Sequence, residues 1–294
     1  MSNQPNETLV RQFSDQVHVQ AQQMKARLRP FVEIKKVKGN DYAYDGMGDV
    51  EATEIVGRNQ PTQFSDIEHL RRKIPQRRYA VALPIDPKDL EETLLDTQSN
   101  YASSVARAIE RQFDRTAIEA MFADVRTGRE FENTVDFATD GVINIDATGG
   151  LTYDILTDMQ QGFIDNEVGN DMPEQFVLGI SGDEHKDLMN ETNLTSGDFS
   201  RQMVVDKGSI TFASGFELIK YGASVANPML PIVGGERIGF AMSTRAICVG
   251  IGQDINIRID KREDLNYTTQ VYADFTIGAV RTEGKLIQRV RLTP

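Results

Sequence analysis

The apolar positions follow two rhythms, a helical one in the first two-thirds of the chain and an alternating one in the last third. Between Thr8 and Arg29, the residues Val10, Phe13, Val17, Ala21, Met24 and Leu28 recur at steps of three and four. That is one stripe of an amphipathic helix, which Pro30 ends. The stripe is thin and its flanks are rich in Gln, so the helix reads as an arm in need of a partner surface. The chain then changes character over residues 31–85. FVEIKKVKG is a short strand, and Gly, Asp and Asn turns separate brief β-prone pieces after it. HLRRKIPQRRYAVALPI is basic first and strand-like at its end. With too few large apolar residues for its own core, this region reads as a long two-stranded excursion, marginal in water unless it lies on something else.

Asp86 and Pro87 open a helix whose buried face is Leu90, Leu94 and Leu95. The strongest helical pattern follows in YASSVARAIERQFDRTAIEAMFADVRTG. Val105, Ile109, Phe113, Ala117, Met121 and Val125 repeat at four-residue steps, and Ala102, Ala106, Ile118 and Phe122 widen the face. The pattern predicts one long central helix that Gly128 stops. Residues 130–150 read as strand and turn. LTYDILTDMQQGFIDNEV is an amphipathic helix capped by Thr152, QFVLGIS a buried strand, and GDEHKDLMNE a short helix. Beyond Ser209 strands dominate: SITFASGFELIKYG, then the Pro-containing loop ANPMLPIVGG, then ERIGFAMSTRAICVGIG, DINIRID, YTTQVYADFTIGAV and GKLIQRVRL. The class is α+β.

Candidate chemistry is sparse. Gly250-Ile251-Gly252 follows an apolar run as a dinucleotide fingerprint would, but Ile255 stands where the third glycine belongs. INIRID alternates like a strand, whereas the fingerprint must open a helix. The glycine pair is therefore expected at a bend or bulge between two strands. GDEHKD packs acids around His185 without the H-E-x-x-H spacing, as an exposed helix start would. IDPKDLEE and DKRED lack the order of a calcium loop. His18, His69 and His185 lie far apart, and no G-x-S-x-G elbow occurs. The single cysteine, Cys248, sits in the apolar run AICVG and is expected to be buried. No catalytic residue, metal or cofactor is expected, which leaves a soluble nucleotide-dependent enzyme as a remote alternative.

The chain has 294 residues, 39% of them hydrophobic, enough for one large domain or two modest ones. No apolar run approaches the roughly 20 residues that span a bilayer, so no membrane association is expected. MSNQPNETLVRQFSDQ lacks the layout of a signal peptide, so the chain is expected to stay in the cytoplasm or in something assembled there. Net charge is -12, which argues against a freely diffusing nucleic-acid binder. The most concentrated charge is RRKIPQRR, with Arg71, Arg72, Lys73, Arg77 and Arg78. Inside an excursion without its own core, it points to contact with an acidic surface of a neighbouring subunit. A solvated basic edge and a nucleic-acid patch are the other readings, the last weakened because only Tyr79 is near for stacking.

In outline, a thin helical arm and a long two-stranded loop precede a long spine helix, a mixed middle and closing strands. The chain thereby resembles the major capsid protein of tailed bacteriophages, the HK97-type fold. SSVARAIERQFDRTAIEAMFADVRTG is similar to the spine-helix segment of that family. GERIGFAMSTRAICVGIGQDINIRIDKREDLNYTTQVYADFTIGAVRTEGK is similar to its C-terminal block. The resemblance implies an N-terminal arm at 1–30, an extended loop at 31–85, a peripheral domain at 86–130 plus 255–294, and an axial domain at 131–254. ANPMLPIVGG would be the axial loop, with Asn227, Pro228 and Pro231 at subunit contacts around a five- or six-fold axis.

What the resemblance implies about function is structural. Pentamers and hexamers of this chain would form an icosahedral shell around double-stranded DNA, without sequence-specific binding, in a virion assembled in the host cytoplasm. Portal and possibly decoration or cement proteins would be partners. The arm begins almost at once, so a separate scaffolding protein is expected rather than a cleaved segment. The Lys-Asn crosslink of the namesake is not carried over to Lys35, Lys36 or Lys38, for which no partner Asn can be matched. An encapsulin-like nanocompartment shell enclosing an enzyme is the same-fold alternative.

Overall fold

The computed structural model describes residues 23–39, 41–48, 50, 52, 54, 64, 67, 69–85, 97–169, 175–191, 205–206, 209–223 and 228–292. Most of the N-terminal helix expected from Thr8 and the helix expected at Asp86 lie outside these residues. In chain order the first elements are β1 (Glu33–Lys36), β2 (Asp41–Met47), β3 (His69–Pro75), β4 (Arg77–Ile85) and α1 (Thr97–Phe122). Next come β5 (Val125–Thr127), β6 (Asn133–Val135), β7 (Ile143–Ala147), α2 (Tyr153–Asp165), β8 (Phe176–Ile180) and α3 (Gly182–Asn190). The short strands β9 (Val205–Asp206), β10 (Ser209–Ile210) and β11 (Phe212–Ala213) lead to β12 (Phe216–Lys220) and β13 (Ile232–Val233). The chain closes with β14 (Glu236–Ser243), β15 (Ile247–Arg262), β16 (Thr268–Arg281) and β17 (Ile287–Leu292). Two compact units result, one drawn from within 1–25, 79–111 and 255–275, the other from 26–78, 112–254 and 276–294.

The larger unit is built on a mixed sheet in the order β11-β12-β8-β14-β17-β7, with β13 on β14. β14 runs antiparallel to β8 and β17, while β12 is parallel to β8 and β17 to β7. Flanked on both sides and covered on both faces, β14 reads as a continuous apolar run, with Ile238, Phe240, Ala241 and Met242 all buried. β17, which the resemblance groups with the peripheral segment, lies inside this sheet. α2 buries Leu156, Met159 and Phe163. Phe163 stacks on Phe176 at 4.7 Å, and Thr152 caps the helix as its sequence predicts, its side chain accepting from the Ile155 N–H. α3 begins with a capping box, in which Ser181 and Glu184 satisfy each other's backbone donors. Glu184 is thus buried rather than exposed at the helix start, and His185 accepts from the Ile210 N–H at 3.2 Å.

β2 and β3 form an antiparallel ladder from Asp41↔Pro75 to Met47↔His69, the expected pair of strands. The second edge of β3 is also used, because β5 pairs with it at Arg72↔Thr127 and β6 pairs with β5. This pairing ends α1 early. The helix expected to run to Gly128 stops at Phe122, and Val-Arg-Thr crosses into a sheet although Val125 continues the four-residue step. Tertiary pairing overrides a periodicity that a strand of three residues can also satisfy. Gly128, at φ +102°, then makes the turn to β6. Before Pro30, residues 23–28 are not helical, and only Arg29–Phe31 makes a turn of 3-10 helix. The cause is Asp114 of α1. Its carboxylate accepts the N–H groups of Arg27 (2.9 Å) and Leu28 (3.1 Å), which holds the chain in a turn and buries Ala26 and Leu28.

Gly250 and Gly252 lie inside one unbroken strand, β15, and not at a bend between two. They serve close approach. A side chain at Gly250 would meet Val37 at 2.7 Å and Gln76 at 2.8 Å, and one at Gly278 would meet the Pro75 carbonyl at 2.1 Å. The Pro75-Gln76 corner thus rests on a floor of glycines.

In the smaller unit, Tyr79 of β4 stacks on Phe275 of β16 at 5.6 Å. Thr269, Val271, Ala273 and Phe275 are buried at alternate positions of β16. The turn between β15 and β16 places Asn266 and Tyr267 at φ 48° and 55°, with Arg262 paired to Asp264 at 2.6 Å beside it.

Candidate functional site

The basic run divides by strand alternation and is not one surface. Arg72 turns inward from β3 and is 4% exposed. Both of its terminal nitrogens donate to Asp140 at 2.7 Å, and one also reaches the Arg281 carbonyl at 3.3 Å. Arg281, from the end of β16, is 0% exposed; its Nε donates to the same carboxylate at 2.7 Å. Its Nη1 donates to the carbonyls of Met121 (2.7 Å) and Ala123 (3.1 Å), closing the C-terminal end of α1. Phe137 packs against this group, its ring centroid 5.5 Å from the Arg281 guanidinium and 5.7 Å from that of Arg289. One carboxylate thus ties together the middle of the hairpin, the end of α1 and the end of β16.

Burial works to raise the Asp140 pKa, but the hydrogen bonds from Arg72 and Arg281 outweigh it and hold the carboxyl below its usual range. Burial likewise lowers the Arg281 pKa against the support of Asp140. Removing one partner from such a buried group costs about 3–5 kcal/mol, because an uncompensated charge stays behind. Arg72 is therefore engaged inside its own subunit, with Asp140 and the Arg281 carbonyl.

Arg71 lies 3.4 Å from Asp45 across the hairpin and 5.8 Å from the Phe131 ring, and Lys73 stands 5.3 Å from the same ring. Arg77 and Arg78 are exposed at the start of β4. The other predicted contacts stand elsewhere in the chain. Pro228 and Pro231 are half-buried before β13, and Asn227 lies outside the described residues. The hairpin and the loop beyond it carry apolar side chains in the open, with Met47 73% and Phe64 93% exposed. Cys248 is buried as expected, and burial pushes its thiol up to about 11.

Sequence reading did not find Asp140, Arg281 or Asp114. Asp140-Gly141 reads as an ordinary turn and Arg281 as the polar end of an apolar strand. Their partners lie 68 and 141 residues away along the chain.

A model of the family described as phage capsid protein matches residues 6–293. No curated protein matches the sequence. Among solved structures, the chain is similar to the capsid of cyanophage P-SCSP1u, with 13% identity, a TM-score of 0.72, and coverage of 97% of this chain and 93% of that one. It is similar to a structure of Mycobacterium phage Che8, with 13% identity, a TM-score of 0.71 and 97% of each chain covered. The head of Helicobacter pylori bacteriophage KHP40 gives 9% identity, a TM-score of 0.73, and coverage of 98% and 97%. At these identities the likeness is one of fold, and the fold is the HK97-type expected from the sequence. With the family match spanning nearly the whole sequence, the chain belongs to the phage capsid protein family.

Proposed function

We propose that this major capsid protein assembles into pentamers and hexamers that close an icosahedral shell around double-stranded DNA in the virion of a tailed bacteriophage. The observation that carries the reading is the hairpin of β2 and β3. Its middle is fixed by a buried ion cluster at Arg72, while Met47 and, in the loop beyond, Phe64 expose apolar side chains. Such an element gains stability by lying on a neighbour, and contacts of this kind repeat around cyclic axes. In this reading residues 1–30 are the arm and 31–85 the extended loop. The segment of α1 with the β15–β16 hairpin forms the peripheral domain, and the sheet around β14 forms the axial domain, taking β17 with it. Arg71, Lys73, Arg77 and Arg78 meet an acidic surface of the adjacent subunit, while Asn227, Pro228 and Pro231 lie near the capsomer axis. The net charge of -12 suits a container whose lining must not hold its DNA. A scaffolding protein, a portal and decoration proteins are the partners, and assembly takes place in the host cytoplasm.

Negative-stain microscopy of the protein, expressed alone and with the scaffolding protein, tests the reading. Closed shells or sheets of capsomers are expected in at least one condition. A uniform small oligomer in both would overturn it.

A further inference from the structure

A groove of about 330 Å³ opens where the end of α1 meets β3, β5 and β16. Its floor is apolar and built from short side chains, Ala120, Val125, Ala279 and Val280, all buried. Pro75 stands exposed at one lip. The rim carries Lys73 and Arg126, which fall side by side because β5 runs antiparallel to β3 from the Arg72↔Thr127 pair. The acid of the rim, Asp124, already accepts the Phe137 N–H at 3.1 Å. The groove therefore offers an apolar seat with a basic edge.

The complementary chemistry stands at the other end of the β2–β3 hairpin. Met47, Val50, Phe64 and Ile67 are all exposed there, Phe64 most of all at 93%. Asp66 and Glu68 follow Phe64 closely in the sequence. An aromatic side chain held in the open beside two carboxylates matches an apolar groove with a basic edge. One subunit does not bring the two together. At about 3.4 Å per residue, β3 sets Pro75 roughly 20 Å from His69, and Phe64 is left uncovered. We infer that Phe64 of one copy seats in the groove of a second copy, with Asp66 and Glu68 against Lys73 and Arg126. Loop and groove are different patches, so the contact runs head to tail and repeats around a cyclic axis. A buried aromatic anchor of this kind carries a disproportionate share of a contact's binding energy. The inference rests on the assembly reading for the presence of a second copy, and it names the residue and the seat by which the hairpin lies on its neighbour.

Photocrosslinking decides it. Phe64→p-benzoylphenylalanine keeps an aromatic side chain at the anchor. Particles of this variant are checked by microscopy, illuminated, digested with trypsin and mapped by mass spectrometry. Covalent dimers should form in particles and not in the unassembled subunit, with residue 64 joined to Thr116–Arg126 or to Ala279 and Val280. Particles whose dimers are joined elsewhere, or that give only intramolecular product, would overturn the seat while leaving the shell reading intact. Failure of the unaltered protein to form particles would overturn the shell reading itself, and this contact with it. Ala123→p-benzoylphenylalanine, at an exposed position of the groove, reports from the other side. Its product should contain the tryptic peptide Asn59–Arg71; a product with Gln12–Lys25 would give the groove to the N-terminal segment and overturn the inference. Phe64→Asp, with unchanged far-UV circular dichroism as evidence of folding, should lower the yield of particles at least tenfold, and Phe64→Leu much less; a normal yield from Phe64→Asp would also overturn it.

Discussion

Reversing charge at Arg72 and at Arg78 should have opposite consequences, although the two residues lie six positions apart in one basic run. Arg72→Glu would place a carboxylate beside Asp140 in a site where the arginine is 4% exposed and makes bidentate bonds at 2.7 Å. The lost pair leaves Asp140 to Arg281 alone and adds a like charge against it. Breaking a buried pair costs about 3–5 kcal/mol before that repulsion is counted. Domains are typically stable by only about 5–15 kcal/mol, so much of the margin disappears. Arg78→Glu changes an exposed residue, where effects of about 0.5 kcal/mol or less are the rule. The assay is urea denaturation of the unassembled subunit, followed by circular dichroism, with particle yield measured in parallel. Arg72→Glu should shift the midpoint strongly or fail to fold, and Arg72→Met should lose less. Arg78→Glu should fold normally and assemble poorly. An Arg72→Glu subunit within about 1 kcal/mol of the unaltered protein would refute the reasoning, since a pair worth so little is what a solvated surface gives.

Three further outcomes are expected. Because the Asp140 pKa is depressed in the folded chain, its contribution is complete above the unfolded carboxyl value of about 3.9 and is lost as pH falls through the lower folded value. Acid denaturation of Asp140→Asn should therefore lack the part of the stability loss below about pH 4 that the unaltered subunit shows. Asp114→Ala leaves the N–H groups of Arg27 and Leu28 without their acceptor, at about 1–3 kcal/mol each, so tryptic cleavage after Lys25 or Arg27 should quicken at least tenfold by mass spectrometry. Unchanged cleavage would mean that the segment is held by other contacts. Gly278→Ala pushes a methyl group toward the Pro75 carbonyl and should lower the melting temperature by several degrees, whereas Gly149→Ala, which meets nothing within 4 Å, should not.

How much of this was legible depends on the range of the forces involved. The caps at Thr152 and Ser181 act within three residues, and the buried strands β8 and β14 announce themselves as apolar runs; these are local features that a sequence displays. The limits of α1 are different, because Val125 satisfies the helical period and the strand alternation equally. Its fate is decided by β3, some fifty residues earlier. The end of the N-terminal helix fails for the same reason, since Asp114 supplies acceptors that nothing near Arg27 foretells. Within the basic run, the composition reads as one patch until β3 takes its register. Alternation then sends Arg72 inward and leaves Arg71 and Lys73 beside Phe131. The glycines at 250, 252 and 278 show most plainly what a sequence withholds. The first two look like a loop motif and the third like an ordinary strand residue, yet all three make room for a corner contributed by Pro75 and Gln76.

The central claim is that this chain builds a closed shell through contacts its isolated subunit leaves open. Cryo-electron microscopy of the particles this chain forms tests it most directly. The account predicts icosahedral particles with five- and six-fold capsomers, in which the β2–β3 hairpin of each subunit lies on its neighbour. Ordered particles in which that hairpin touches only its own subunit, or no ordered particles at all, would contradict it.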